Sequence, residues 1–306
     1  MLRLLTVLAL LAILFMPISS ASEPVNVETG IYIISLGNYE VNKGTYTMDF
    51  YMWFRWDASS NITPFKFEFM NGRANSKELI SDETDIATGK REVWYRIQAS
   101  LYSEPRFKDY PFDTQVLKID FEDSINPVQK LQYTPAVIES GLDKDVRASG
   151  WIITGWDFIA ADKEYKWDEI YSRGNFAIDI EREKTSTAIK TLLPPFIFCV
   201  VSGLSFFFRP DKIAQRLGLG TSMLISAVMF HISQTASLPP LGFLMLIDKI
   251  MISTYVFLAS SLIVTTIIHI DVDWWQKVDY TRETNRYGAV VTVLLPIITY
   301  LALSGV

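Results

Sequence analysis

The sequence predicts an all-β, immunoglobulin-like sandwich followed by a four-helix transmembrane bundle, with several copies joined in a cyclic oligomer. Three features carry that expectation. Up to about residue 183 apolar and polar residues alternate, as they do in half-buried strands. Beyond about residue 185 the apolar residues gather into four runs long enough to cross a hydrocarbon core of about 30 Å. One of those runs keeps a small, hydroxyl-bearing face, and a single helix cannot enclose a path with it, so the face calls for a ring of copies.

In chain order, residues 1–21 read as a signal peptide. A lone Arg3 precedes an apolar run from Leu4 to Phe15, and the small residues Ser19, Ser20 and Ala21 offer a cleavage site. The mature chain is expected to start near Ser22, with residues 22–186 exported as the β domain. Its strands are visible in Tyr46–Trp56, Val93–Ala99, Thr114–Phe121, Trp151–Trp156 and Phe176–Ile180, rich in aromatic and β-branched residues. Turn formers such as Asn42-Lys43-Gly44, Asn71-Gly72 and Asp123-Ser124 separate them. The region is acidic, with 28 carboxylates against 19 basic residues over 22–186. No basic patch is interleaved with stacking aromatics, so nucleic acid is not an expected partner. The chain's one cysteine, Cys199, lies in an apolar run, so no intrachain disulfide can form.

Residues 187–306 read as the membrane domain. Helices are expected over about 187–208, 213–237, 243–270 and 287–302, with Pro194-Pro195 kinking the first. Arg209 to Lys212 is a short hinge, Leu238-Pro239-Pro240-Leu241 a short turn, and Asp271 to Arg286 a polar loop carrying Trp274 and Trp275. An exported N-terminal domain puts Arg209, Lys212, Arg216, Lys277, Arg282 and Arg286 on the inner side and the C-terminus outside. The excess of inner cations points independently to the same orientation.

The second run, Ile213 to Ser237, has one fixed charge, Arg216. At steps of four and three it presents Gly218, Ser222, Ile225, Met229, Ile232 and Ala236 on one stripe. Two readings fit. Small and hydroxyl residues let helices pack closely; alternatively, a polar inner half followed by a hydrophobic constriction lines a pore that conducts and closes by dewetting.

The whole pattern resembles the pentameric ligand-gated ion channels. The resemblance rests on Tyr110-Pro111-Phe112-Asp113 with Gln115 in the segment Ser103–Leu117, on Arg216-Leu-Gly-Leu-Gly-Thr ahead of Leu238-Pro239, and on Arg182 twelve residues before Pro194. Animal members close the first segment with two cysteines, whereas Ser103 and Leu117 stand here, as in prokaryotic-type members. The short segment Asp271–Arg286 lacks the large cytoplasmic insertion of animal members. The resemblance implies a homopentamer in membrane lipid, gated by a small-molecule agonist or a proton and passing inorganic ions. No catalytic residue, metal or cofactor is implied.

It also implies site residues. Lys43, Tyr110, Pro111, Phe112, Asp113, Arg182, Leu238 and Pro239 would couple the β domain to the pore, with Asp113 and Arg182 as a partly buried ion pair. Ala214, Gln215 and Arg216 would form the selectivity region. There Gln215 replaces the glutamate of cation-selective members and Ala214 the proline of anion-selective ones, so the expectation leans slightly to cations. Tyr51, Phe69, Phe121, Tyr165, Trp167 and Tyr171 are the candidate binding aromatics, suited to an amine by cation-π attraction. His231 and His269 fit helix packing, with proton sensing as the second reading. A membrane-anchored hydrolase is disfavoured because the exported region has no histidine or cysteine. A non-conducting sensor would share every feature but the small stripe.

Overall fold

In the computed structural model, described for residues 23–305 apart from 61, 65, 210 and 274–277, the alternating region folds as a two-sheet sandwich. The signal peptide expected over 1–21 lies outside the described residues. One sheet runs β4 (Gly72–Asp85), β5 (Lys90–Tyr102), β2 (Thr45–Asp57), β1 (Val25–Leu36), β7 (Leu131–Pro135), with β8 (Gly141–Leu142) also on β1. The other runs β3 (Phe67–Phe69), β6 (Thr114–Asp123), β10 (Ile170–Arg182), β9 (Trp151–Glu164). The period of two decides which side chains meet between the sheets. Tyr46, Met48, Phe50, Met52, Phe54 and Trp56 of β2 are all buried, and they share a core with Leu117, Ile119 and Phe121 of β6 and Phe176, Ile178 and Ile180 of β10.

Strand gives way to helix in two residues. β10 ends at Arg182, and the Glu183 carboxylate accepts the backbone N–H groups of Thr185 (2.9 Å) and Ser186 (2.5 Å), capping α1 (Lys184–Gly203). That cap starts the helix at Lys184 rather than at the expected residue 187. α1 runs through Pro194 and Pro195 and tightens into a 3-10 turn, Leu204–Phe207. α2 (Ile213–Thr235), α3 (Leu246–Asp273) and α4 (Val278–Ser304) follow. Four stretches of these helices are long and apolar enough to cross a membrane.

Two ends differ from expectation for identifiable reasons. α3 begins three residues late because Asp248 reaches back to the N–H of Met245 (2.8 Å), so the helix is capped there. The polar segment 271–286 is mostly helix, since α3 continues to Asp273 and α4 starts at Val278. Asn285 in that segment earns helical position by bonding outward, its amide donating to the Phe206 carbonyl (2.9 Å).

Candidate functional site at the domain junction

The β domain meets the helices through the loop from Phe107 to Phe112. Phe107 is buried with Met245, Ile247, Met251 and Ala227, and Val41, Tyr110 and Leu238 pack on the same cluster. The first N–H groups of a helix have no partner within it. Here the loop supplies two, because Leu246 and Ile247 donate to the carbonyls of Lys108 and Tyr110, each at 3.1 Å. The Tyr110 hydroxyl donates to the Gln234 carbonyl of α2 (3.3 Å), so one loop holds the end of α2 and the start of α3 together. The Tyr110-Pro111 peptide within it is cis.

Behind the loop Asp113 is 2% exposed. Its Oδ1 receives Arg182 Nε at 2.7 Å and its Oδ2 receives Gln115 Nε2 at 2.6 Å. The Arg182 guanidinium lies 4.4 Å over Trp151 and 5.2 Å over Tyr110. The ion pair therefore ties the docked loop to the root of α1. Lys43 is instead exposed and bonded to Glu40 (2.6 Å), and its neighbour Val41 makes the apolar contact. Pro239 sits half-buried beside Leu238.

α2 shows two distinct faces. Arg216, Gly220 and Ala227 are buried against the other helices. Gly218, Ser222, Ile225, Met229, Ile232 and Ala236 are all exposed on the opposite side, with Ile225, Met229 and Ile232 at 60%, 62% and 57%. Ala214 and Gln215 are exposed as well, whereas Arg216 departs from the selectivity grouping. It is 1% exposed and points into the bundle, where Nε donates to the Ser205 carbonyl (2.8 Å) and Nη2 to the Asn285 side chain. The Ser205 carbonyl lies in the 3-10 turn that closes the first helix, where the backbone is partially negative, which suits a guanidinium.

The aromatic candidates separate into two groups. Tyr165 and Trp167 stack with centroids 4.5 Å apart, and Tyr171 meets Tyr165 edge-on at 6.0 Å. With Glu68, Met70, Glu122, Asp123, Ser124 and Glu169 they line a cleft of about 240 Å³ at the β9–β10 hairpin. Tyr51, Phe69 and Phe121 do not line it. Phe121 is fully buried, its ring so close to Gly174 that a Cβ there would lie 2.2 Å away, so it belongs to the core and is unavailable to a ligand. Phe69 packs on Phe50 and Phe67 at the core's rim, and Tyr51 lies edge-on to Trp94.

The acids of this cleft escaped the sequence reading, which took Asp123-Ser124 for a turn. Glu122 bonds Arg173 Nε (2.5 Å) and the Tyr165 hydroxyl (2.9 Å). Glu169 takes the Trp167 indole N–H and the Tyr171 hydroxyl, both at 3.0 Å. Asp123 is 2% exposed; its Oδ1 accepts three bonds from Ile125 and Asn126, its Oδ2 accepts none, and burial pushes its carboxyl above the usual range. The signal was present, because Leu117, Ile119, Phe121 and Asp123 share one side of an alternating strand.

No family model matches the chain. Curated relatives do. A proton-gated ion channel of Gloeobacter violaceus is 24% identical over 276 residues, covering 81% of this chain and 74% of that protein. A pH-sensitive chloride channel of Drosophila melanogaster is 24% identical over 55% of this chain, and an acetylcholine-gated chloride channel subunit of Caenorhabditis elegans is 25% identical over 57%. The alignments span 34% and 37% of those two animal proteins. Sandwich, docked loop, four spanning helices and these relatives agree. In sequence and in fold the chain is similar to ligand-gated ion channels of the pentameric type. With four helices long and apolar enough to cross a membrane it is a multi-pass membrane protein, and its relatives are channels rather than enzymes.

Ser103 and Leu117 stand where the animal channels this chain resembles carry their loop cysteines, and here the base of the loop is held in another way. Ser103 Oγ and the Tyr46 hydroxyl lie 2.7 Å apart. The Lys118 N–H donates to both, at 3.2 and 2.7 Å, and Asn71 Nδ2 donates to the Lys118 carbonyl (2.9 Å). Leu117 is buried beside them. A hydrogen-bonded tyrosine and an apolar side chain close the loop that cysteines close in animal members.

Proposed function

We propose that the chain is a ligand-gated channel in which five copies surround a pore lined by α2, opened by an agonist or a proton acting on the β domain. One observation carries this reading: the loop 107–112 grips the end of α2 and the start of α3, while the opposite face of α2 stays uncovered along its whole length. A displacement of the β domain is thereby delivered to the helix with the free stripe. In this reading residues 1–21 are removed, residues 22–186 and the C-terminus lie outside, and residues 187–306 form the pore domain.

The hairpin cleft suits an organic cation, since stacked Tyr165 and Trp167 offer ring faces and the surrounding carboxylates supply negative charge. Selectivity is proposed to favour cations. Gln215 leaves the mouth neutral, and Arg216, the feature shared with anion-selective members, turns away from the stripe. Two relatives are chloride channels, which makes anion conduction the competing outcome.

The test is current recording from purified protein in planar bilayers, under a salt gradient, across pH 4–8 and a panel of primary and quaternary amines. Gated current with a reversal potential on the cation side is expected. Reversal on the anion side overturns the selectivity, and silence under every condition overturns the channel in favour of a sensor.

A further inference from the structure

Where α2 and α3 meet beneath the docked loop, His231 has a partner on each ring nitrogen. Nε2 lies 2.9 Å from Asp248 Oδ1 and Nδ1 lies 3.0 Å from the Tyr255 hydroxyl. The pair is largely shielded, with side-chain exposures of 21% for His231 and 16% for Asp248. Asp248 Oδ2 is occupied by the Met245 N–H, and the Tyr255 hydroxyl also reaches the Ala227 carbonyl at 3.5 Å.

This arrangement restricts the protons. A carboxylate only accepts, so Nε2 must carry a hydrogen. In the neutral ring Nδ1 is then an acceptor and takes the tyrosine's O–H. When the ring gains a second proton, Nδ1 becomes a donor and the tyrosine must turn its hydrogen elsewhere. The Ala227 carbonyl of α2 stands ready for it. The same step turns the bond from a neutral ring to the Asp248 carboxylate into an ion pair, which is stronger in a shielded site.

Its position gives the change somewhere to act. Gln234, three residues after His231, accepts from Tyr110, and Leu246 and Ile247, just before Asp248, donate to Lys108 and Tyr110. Among the described side chains, the other titratable groups on the packed elements are Arg216 on α2, Lys249, His269 and Asp271 on α3, Lys108, Asp109 and Tyr110 on the loop, and Lys184, Lys190 and Cys199 on α1. Among the described residues, only Asp248 and Tyr255 bond the ring.

We propose that Tyr255, His231 and Asp248 form a proton-dependent latch between α2 and α3, whose tightening on protonation biases the pore helix at the point where the β domain pulls on it. The proposal rests on the channel reading for its consequence and stands apart from it for its chemistry. The chain has two histidines, so His269→Gln leaves one ring to observe by ¹⁵N magnetic resonance in bilayers. The ring should be the Nε2–H tautomer at high pH and doubly protonated at low pH. The opposite tautomer, or a ring unchanged between pH 4 and 8, overturns the latch whether or not the protein conducts. In flux assays His231→Gln and Tyr255→Phe should each move the pH midpoint by about 0.5 unit or more. Tyr255→Phe retains the packing if the glutamine variant fails to fold. A titrating ring with unmoved midpoints in a conducting protein overturns its role in gating. A protein without flux at any pH would count against the channel reading, while the ring's titration would still decide the latch.

Discussion

Asp113 and Arg182 are 69 residues apart in sequence and 2.7 Å apart in space, and their exposures differ: 1% for the aspartate side chain and 23% for the arginine. The two truncations should therefore differ. Arg182→Gln strands a buried carboxylate and should cost about 3–5 kcal/mol, seen as loss of assembled oligomer on size exclusion and a lowered thermal midpoint. Asp113→Asn leaves an arginine that water and two aromatic faces still support, and should cost less. Combining the two should cost less than their sum, because the stranded charge is gone. Asp123 gives a pH-dependent prediction. Its carboxyl is raised by burial, so below both folded and unfolded values it is neutral in either state and contributes no difference. As pH rises the unfolded chain ionises first, and the folded state loses stability. Asp123→Asn keeps the Oδ1 acceptor and should raise the thermal midpoint at pH 7, with the gain fading below about pH 4.

At the scale of elements, α2 is the helix whose two faces differ most in kind. Its buried face carries Arg216, Gly220 and Ala227, and its free face carries Gly218 and Ser222 and then Ile225, Met229 and Ile232. If the apolar residues form a ring that closes by dewetting, Ile225→Ser wets it. Basal ion flux from liposomes should then rise about tenfold or more with oligomer size unchanged. An unchanged basal flux would move the constriction elsewhere on the stripe. The β9–β10 hairpin is the second element of consequence. Its tip gathers three aromatics and Glu169 from a stretch of seven residues, Tyr165 to Tyr171, so the cluster follows from local sequence, whereas its back wall of Glu68, Glu122 and Asp123 comes from β3 and β6.

For the whole molecule, the proposed pore would set an acidic β domain and a neutral ring of Gln215 on one ion path. Gln215→Glu in every copy would place a ring of carboxylates at one end of the path and should shift the reversal potential further toward the cation equilibrium potential in a salt gradient. The sequence by itself determined the sandwich, the four long apolar helices and which residues of α2 share a stripe, because strand and helix periods and apolar length are local properties of the chain. It also pointed to Asp113 and Arg182 by their places in recognisable motifs. The tertiary structure alone decided the fate of side chains whose partners lie on other elements. Phe121 went to the core, where Gly174 makes room for its ring, and Arg216 turned to the carbonyl end of the first helix. Asp123 was enclosed by the hairpin, and His231 met Asp248 and Tyr255. Periodicity places Phe121 and Asp123 on the inward side of β6, but what each of these four residues meets depends on which surface another element covers, and that is settled only when sheets and helices pack.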